Sequence, residues 1–579
     1  MNCFIKLTRG AVLVLILGGM TACTSNGTTA KQLLEHEIKS STVISSQPQT
    51  TDESRMHDSL SRHKEGKPGR LLEQQVLSAN TPAAVGTMIV PPEWRYPSEP
   101  VDRENYAHFD DNPVKRVAEM PVSTFSIDVD TGAYANVRRF LNQGRLPAKD
   151  AVRVEEMINY FSYGYPLPKD LSRPFSVTTE MAPAPWNRDT VLLHIGLKGY
   201  DVNADQRPAA NLVFLVDVSG SMMSVDKLPL LKSGLKLLVS QLRAQDRVSL
   251  VVYAGRSGLV LEPTPGDQRG KILAALEGLA AGGSTNGGAG IRLAYAMAEQ
   301  AHIPGGINRV LLATDGDFNV GTVNFEALKN LIEEKRKTGV SLTTLGFGTG
   351  NYNDHLMEQL ADAGNGHYAY IDTLKEANKV LVTEIASTLQ TIAKDVKIQI
   401  EFNPAVVAEY RLIGYENRAL KREDFNNDKV DAGDIGAGHT VTAIYELALA
   451  GGRGMRLEAL RYGSESKKVK TNKDELAWLR LRYKLPEGDR SRLIEQPLKT
   501  ADIQNSVAKA SDNFRFGAAV SAFGQVLRGG TYTNDFGYDE IVKLAQGTLG
   551  KDSFGYRGEF VTLVNLAKSL DGTNRQAKR

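Results

Sequence analysis

Cysteine is almost absent from this chain. Cys3 and Cys23 are its two cysteines in 579 residues, so the body of the protein has neither a disulfide framework nor a cysteine-based metal site. Histidine is sparse as well. The nine present form no HExxH and no other paired ligand spacing, which argues against zinc. No G-x-S-x-G elbow appears, and no serine has a matching base in the sequence. Charge of one sign is also lacking: the formal net charge is +2 with 23% charged residues, a balance that calls for no nucleic acid as ligand. The apolar run AVLVLILGG, starting at Ala11, is too short to span a bilayer. What is plentiful is ordinary apolar content, 41% hydrophobic residues, enough for cores in more than one domain.

Lys6 and Arg9, the short apolar run and the small residues before Cys23 read as a secretory signal. MTAC, Met20 to Cys23, resembles a bacterial lipoprotein signal, with methionine where leucine is usual. The resemblance implies that residues 1–23 are the signal and that Cys23 carries the lipid. Thr24 in place of aspartate implies the outer membrane of a Gram-negative cell. Several acyl chains on one cysteine, at about 0.8 kcal/mol per buried methylene, give stable anchoring. Residues 24–105 are polar and poor in aromatics, the composition of a disordered tether.

A small α+β region is expected at 106–170, with STFSIDVD as a strand and TGAYANVRRFLNQGRLP and VRVEEMINYFSYG as helices. DVDTGAY, from Asp128, begins like a calcium loop, but its twelfth position is Arg139 rather than glutamate. A helix N-cap at Thr131 or Asp130 is the better reading. Strands follow at 171–207. Then NLVFLVD, RVSLVVYA, NRVLLATD and VSLTTLGFG are apolar and β-branched, as strands buried on both faces are. Helical patterns alternate with them; Leu231, Leu235, Leu238 and Leu242 make one stripe. HYAYID supplies a further strand, and LKEANKVLVTEIASTLQTIA a closing helix. Strand-helix alternation over 208–392 predicts a doubly wound, mainly parallel α/β sheet. Residues 393–490 read as antiparallel strands. Pairing between them and the strands at 171–207 would insert the α/β domain into a β-sandwich. Residues 491–579 read as a helical region.

In open α/β sheets ligands sit at the carboxyl ends of strands. FLVDVSGSM delivers Asp217 to that edge, with Ser219 and Ser221 two and four residues on, able to face the same way. AGGSTNGGAGI places Thr285 in a glycine-rich loop, and LLATDGDFN ends a second buried strand in Asp315. Two carboxylates and three hydroxyls form a hard-cation set suited to Mg²⁺, with Mn²⁺ or Ca²⁺ as alternatives. Helix capping is the competing explanation for the hydroxyls. Asp317 reads as a neighbour rather than a ligand. Asp424 to Asp434, DFNNDKVDAGD, has calcium-loop spacing at its start but Lys429 and Ile435 at the sixth and twelfth positions, which favours a solvated turn.

DVSGS, a threonine in a glycine-rich loop and TDG at a strand end, in that order, resemble the metal-ion-dependent adhesion site of von Willebrand factor type A (VWA) domains. The whole chain is similar to bacterial envelope lipoproteins that carry such a domain. The resemblance implies that Ser219, Ser221 and Thr285 donate hydroxyl oxygens and that Asp217 and Asp315 bind directly or through water. It further implies a protein or glycan partner, with an exposed acidic residue of a protein completing the metal shell. A structural role in envelope assembly and a Mg²⁺-dependent hydrolase are the alternatives, and no enzymatic activity is expected.

Overall fold

The computed structural model describes residues 103–577 apart from 171, 204–205, 284–286, 317–324 and 459–472. The expected signal with Cys23, the expected tether as far as residue 102, Thr285 and Asp317 therefore lie outside the described residues. The described chain opens with short strands β1 (Lys115–Arg116) and β2 (Val122–Ser126), helices α1 (Gly132–Asn142) and α2 (Val154–Asn159), and the hairpin β3 (Phe175–Ala184) and β4 (Asn187–Gly199). A strand-helix series follows: β5 (Ala210–Asp217), α3 (Leu228–Ser240), β6 (Arg247–Tyr253), β7 (Ser257–Pro265), α4 (Arg269–Glu277), α5 (Gly287–Gln300), β8 (Ile307–Thr314) and α6 (Phe325–Arg336). It continues through β9 (Ser341–Phe347), α7 (Asp354–Ala363), β10 (Tyr368–Ile371) and α8 (Leu374–Asn378) to α9 (Ile385–Leu389). Then come β11 (Thr391–Phe402), β12 (Val407–Ile413), β13 (Ile435–Gly436), β14 (Thr440–Leu449), β15 (Glu475–Lys484) and β16 (Arg492–Lys499). Helices α10 (Asp512–Arg528), α11 (Tyr538–Gln546) and α12 (Tyr556–Ala577) close the fold. No helix among the described residues is long and apolar enough to cross a membrane.

The central sheet runs β10-β9-β8-β5-β6-β7, parallel except for β7, which pairs antiparallel with β6. Every residue of β5 and β8 is buried, which is why both read as unbroken apolar runs. Leu212, Phe214 and Val216 point to the face covered by the α3 stripe, where Leu231, Leu235, Leu238 and Leu242 are all buried. On the other face α5 lies so close to β5 and β6 that a Cβ on Gly290 would meet Tyr253 at 2.9 Å and Leu215 at 3.2 Å. Helices thus cover both faces, as the doubly wound reading requires. The strand order reverses between β5 and β8, and the carboxyl ends of these two strands hold Asp217 and Asp315.

The flanking strands form two further sheets. One runs β1-β12-β14-β4-β3; in the other β11 carries β2 and β15 on its two sides, with β13 at its start and β16 beyond β15. Thr440–Ala448 of β14 pairs along β4 from Lys198 to Thr190, so segments on either side of the α/β insert share one sheet. Leu193, Ile195, Ile398, Ile400, Phe402, Ala443 and Tyr445 fill the core between the sheets. The next residues round on β4 and β14, Leu192 and Ile444, face a separate core built with α1, α2, α10 and α12.

Several elements differ from expectation. Residues 492–499 form β16 rather than the start of a helical region; Ile494 and Leu498 are its buried apolar residues, too few to mark a strand. The expected closing helix breaks into α8, a π-helical turn at Lys379–Thr383 and α9, and residues 391–393 already belong to β11. Its β-branched cluster Val380, Val382 and Thr383 is poorly suited to an uninterrupted helix. Thr131 does stand before α1, but its side chain caps nothing. Glu156 Oε2 instead accepts the Ala133 N–H at 2.7 Å, and Asp130 Oδ1 accepts the Tyr368 N–H at 2.8 Å. The 106–170 segment forms no separate body: its strands enter both sandwich sheets and its helices pack with the C-terminal ones. Arg138 on α1 joins the parts. It donates to Asp372 Oδ2 at 2.8 Å, Glu376 Oε2 at 2.7 Å and Glu559 Oε2 at 3.3 Å.

Candidate metal centre

At the end of β5 the chain leaves the sheet as Asp217-Val218-Ser219 and tightens into a 3₁₀ turn at Gly220–Met223. Asp217 is fully buried and organises this exit. Its Oδ1 accepts the Ser219 N–H at 2.8 Å, and its Oδ2 accepts the hydroxyl of Thr314, the last residue of β8, at 2.9 Å. Burial pushes the Asp217 carboxyl up to about 6, and the negative charge of Asp315 adds to the rise against the Ser219 hydrogen bonds. The Ser219 and Ser221 hydroxyls, two residues apart as expected, stand 3.0 Å from each other. Neither caps a helix.

The glycine-rich loop reaches the same place. Gly282 N–H donates to the Val218 carbonyl at 2.8 Å, and Gly220 N–H donates to the Gly283 carbonyl at 3.0 Å. These bonds join the Asp217 turn to the segment leading to Thr285. Asp315, also fully buried, follows β8, and Gly316 then turns the chain with φ +82°. A Cβ on Gly316 would lie 2.4 Å from the Asn353 backbone nitrogen, so the TDG turn needs its glycine twice over.

Two participants carry no sequence signal of their own. Lys227, buried just before α3, donates from Nζ to Asp315 Oδ2 and to Asn351 Oδ1, both at 2.9 Å. Asn351 Nδ2 donates to the same Asp315 oxygen at 3.2 Å. The lysine stem passes over Gly348, where a Cβ would meet it at 2.2 Å. Asp315 is therefore engaged by an internal cation that approaches through a gap only glycine leaves open.

The donor set suits a small hard cation. Adjacent corners of an octahedron with ligands at about 2.0–2.1 Å lie about 2.9 Å apart, close to the Ser219–Ser221 oxygen separation of 3.0 Å. The DFNNDKVDAGD turn behaves differently. Asp428 pairs with Arg482 at 3.1 Å and Asp431 with Arg336 at 2.8 Å, so these two carboxylates are answered by protein cations.

Comparison with known proteins places these features in a family. The model described as von Willebrand factor type A domain matches residues 211–384, that described as von Willebrand factor matches 100–194, and that described as "Uncharacterized protein YfbK, C-terminal" matches 387–570. "Uncharacterized protein YfbK" of Escherichia coli is 51% identical over 472 residues, covering 80% of this chain and 81% of that protein. The magnesium-chelatase 60 kDa subunit of Cereibacter sphaeroides is 33% identical over 204 residues, 32% of this chain and 35% of that subunit. Among solved structures, a von Willebrand factor type A protein from Catenulispora acidiphila aligns over 69% of this chain and 91% of its own, with 16% identity and a TM-score of 0.38.

Proposed function

The chain belongs to the family of Escherichia coli YfbK and carries a VWA domain, and from that premise we propose that it is an envelope-anchored recognition protein whose VWA domain grips an acidic partner through a divalent ion. The observation that carries this reading is the juxtaposition at the switch point: two hydroxyls 3.0 Å apart beside two buried carboxylates on adjacent strand ends. Ser219, Ser221, Asp217 and Asp315 would hold the ion, with Thr285 from the loop that docks on the Asp217 turn. Mg²⁺ suits the set best, with Mn²⁺ or Ca²⁺ as alternatives. When bound, the ion supplies a Lewis-acidic point at which a partner's carboxylate replaces water. The chain's own part is orientation. Thr314 and the Ser219 N–H fix the Asp217 carboxylate, and the glycine loop fixes the turn. A shell rich in neutral hydroxyls leaves much of the ion's charge for the partner and is poorly suited to producing hydroxide, so the reading is recognition rather than hydrolysis.

Cys23 as the lipid-bearing residue, the outer membrane as location and a tether that ends before Arg103, where Glu104 and Asn105 join the fold, belong to the same proposal, supported by the composition of the N-terminal segment. A structural role in envelope assembly has one specific observation in its favour: Lys227 Nζ pairs with Asp315 Oδ2 at 2.9 Å, so a protein cation is already aimed at this carboxylate. The test is Mg²⁺ titration calorimetry on the chain lacking residues 1–23, followed by capture of envelope proteins with Mg²⁺ and with chelator. Mg²⁺ uptake that is lost in Ser219→Ala/Ser221→Ala, together with chelator-sensitive capture, supports recognition. A folded chain that takes up no Mg²⁺ sinks it in favour of the structural role.

A further inference from the structure

Asp128 reads in sequence as the first position of a calcium loop that fails at its twelfth, and Arg139 at that position is indeed paired elsewhere, with Glu104 at 2.7 Å. The fold nonetheless brings distant carboxylates to Asp128. Glu156 on α2 and Glu358 on α7 each place an oxygen within 4.8 Å of one another and of an Asp128 oxygen, and all three residues are buried. Asp130, Glu155 and Asp354 are buried around them. The guanidinium groups facing this cluster are Arg153 and Arg418, the latter shared with Asp362, and His355 stands near Asp354 and Glu358. Six carboxylates against two guanidinium groups leave four negative charges unanswered if all ionise, in a setting where unpaired charge is costly.

Hydrogen bonding is equally uneven. Glu358 Oε1 accepts from Asn417 at 2.7 Å and from Arg418 at 3.0 Å, and its Oε2 forms an ion pair with Arg153 at 2.5 Å. Asp128 receives the Asp130 N–H at 3.0 Å and Arg418 Nε at 3.2 Å. Glu156 receives only the Ala133 N–H, on Oε2. Its Oε1 is fully buried and accepts no hydrogen bond, with Arg153 Nε 3.5 Å away.

We infer that Asp128, Glu156 and Glu358 form a second divalent-cation site, suited to Ca²⁺, that clamps the VWA domain to the rest of the chain. The ligands are all oxygen, which selects a hard cation. Three carboxylates converging on one point suit Ca²⁺, which takes six to eight oxygens in flexible geometry, better than Mg²⁺, which keeps several of its waters and uses one or two carboxylates. The three residues come from different parts: Asp128 from the loop after β2, Glu156 from α2, and Glu358 from the VWA helix α7. Helix α7 starts at Asp354, directly after the loop whose Asn351 donates to Asp315. The clamp thus also holds the support of the first site. It goes beyond the proposed function and stands without it.

The test uses the chain lacking residues 1–23, with Ser219→Ala/Ser221→Ala to remove the first site. After chelation, Ca²⁺ is titrated by calorimetry and the thermal melt is followed with and without Ca²⁺. The expected result is one Ca²⁺ per chain, a melt raised by Ca²⁺, and at least a tenfold loss of affinity in Glu156→Gln, which keeps volume and removes charge. Terbium luminescence sensitised through Tyr368, whose hydroxyl donates to Asp354 at 2.5 Å, reports the ion in this cluster. No Ca²⁺ uptake at 1 mM by the folded parent overturns the inference, as does equal uptake by Glu156→Gln. If Glu156→Gln does not fold, Asp128→Asn is measured in its place under the same criteria. A melt raised by mild acid but indifferent to Ca²⁺ means that protons neutralise the cluster, and also overturns it.

Discussion

Replacing Lys227 by methionine tests how the first site is balanced. Lys227 Nζ lies 2.9 Å from Asp315 Oδ2, with the lysine side chain 8% exposed and the aspartate 0%. Methionine keeps most of the stem that crosses Gly348 and deletes the charge. Without metal, the variant leaves Asp315 buried with Asn351 as a neutral donor. Breaking a buried pair by removing one partner costs about 3–5 kcal/mol. A divalent ion bound to Asp315 experiences the opposite effect, because the lysine is a like charge close by. At an effective dielectric constant of about 20, a unit charge about 5 Å from a divalent ion is opposed by roughly 6–7 kcal/mol. Lysine can swing away on its flexible stem, so most of this is relieved in the wild type and the net gain in the variant is smaller. We expect Mg²⁺ to bind Lys227→Met at least tenfold more tightly, or about 1.4 kcal/mol. Titration calorimetry reads that gain, and urea unfolding with chelator and with saturating Mg²⁺ reads the loss. The variant should be the less stable protein without metal and should recover most of the deficit with it. Weaker Mg²⁺ binding in the variant would refute the reasoning, since the lysine would then be supporting the site rather than competing for it.

Four further outcomes follow from the same structure. Asp217→Ala should abolish Mg²⁺ uptake and chelator-sensitive capture while circular dichroism stays native, because the carboxylate ends a strand rather than filling the core. Gly316→Ala should cost more than about 2 kcal/mol in urea unfolding, because its φ of +82° and the 2.4 Å approach to Asn353 leave no relaxed conformation for a Cβ. Arg138→Met should destabilise by about 3–5 kcal/mol, since it strands Asp372 and Glu376 in the interior; a change under 1 kcal/mol would mean that those carboxyls take up protons at no cost. His194, packed against Tyr163, Tyr165 and Phe514, is pushed from 6.5 down to about 3 by burial. Its neutral form favours folding above pH 6.5, and that stability is lost as pH falls from 6.5 toward 3, by roughly 2 kcal/mol at pH 5. His194→Gln should lack this component, and identical pH profiles in urea unfolding for variant and wild type would count against it.

Where the sequence carried the architecture, it did so through burial. Strands β5 and β8 are covered on both faces, so their composition alone separates them from the alternating strands of the sandwich, and the turn residues after them mark the switch point. The hydroxyl spacing in DVSGS likewise translated directly into two oxygens on one side of a turn. What stayed hidden depends on partners distant in sequence. Strand β16 shows few buried apolar residues because most of its positions face solvent and its pairing to β15 is a backbone property. Lys227 carries no local signal, because its burial depends on Gly348, 121 residues later, and on a loop that contributes Asn351. The acidic cluster is the sharpest case. Read along the chain, Asp128 begins a loop whose twelfth residue is Arg139 rather than glutamate. Read in space, α2 and α7 deliver the carboxylates that the loop lacks. Local spacing therefore identifies a cation site only when one segment supplies every ligand. A site assembled across an inserted domain leaves its trace instead as surplus buried charge, visible only once the elements are packed.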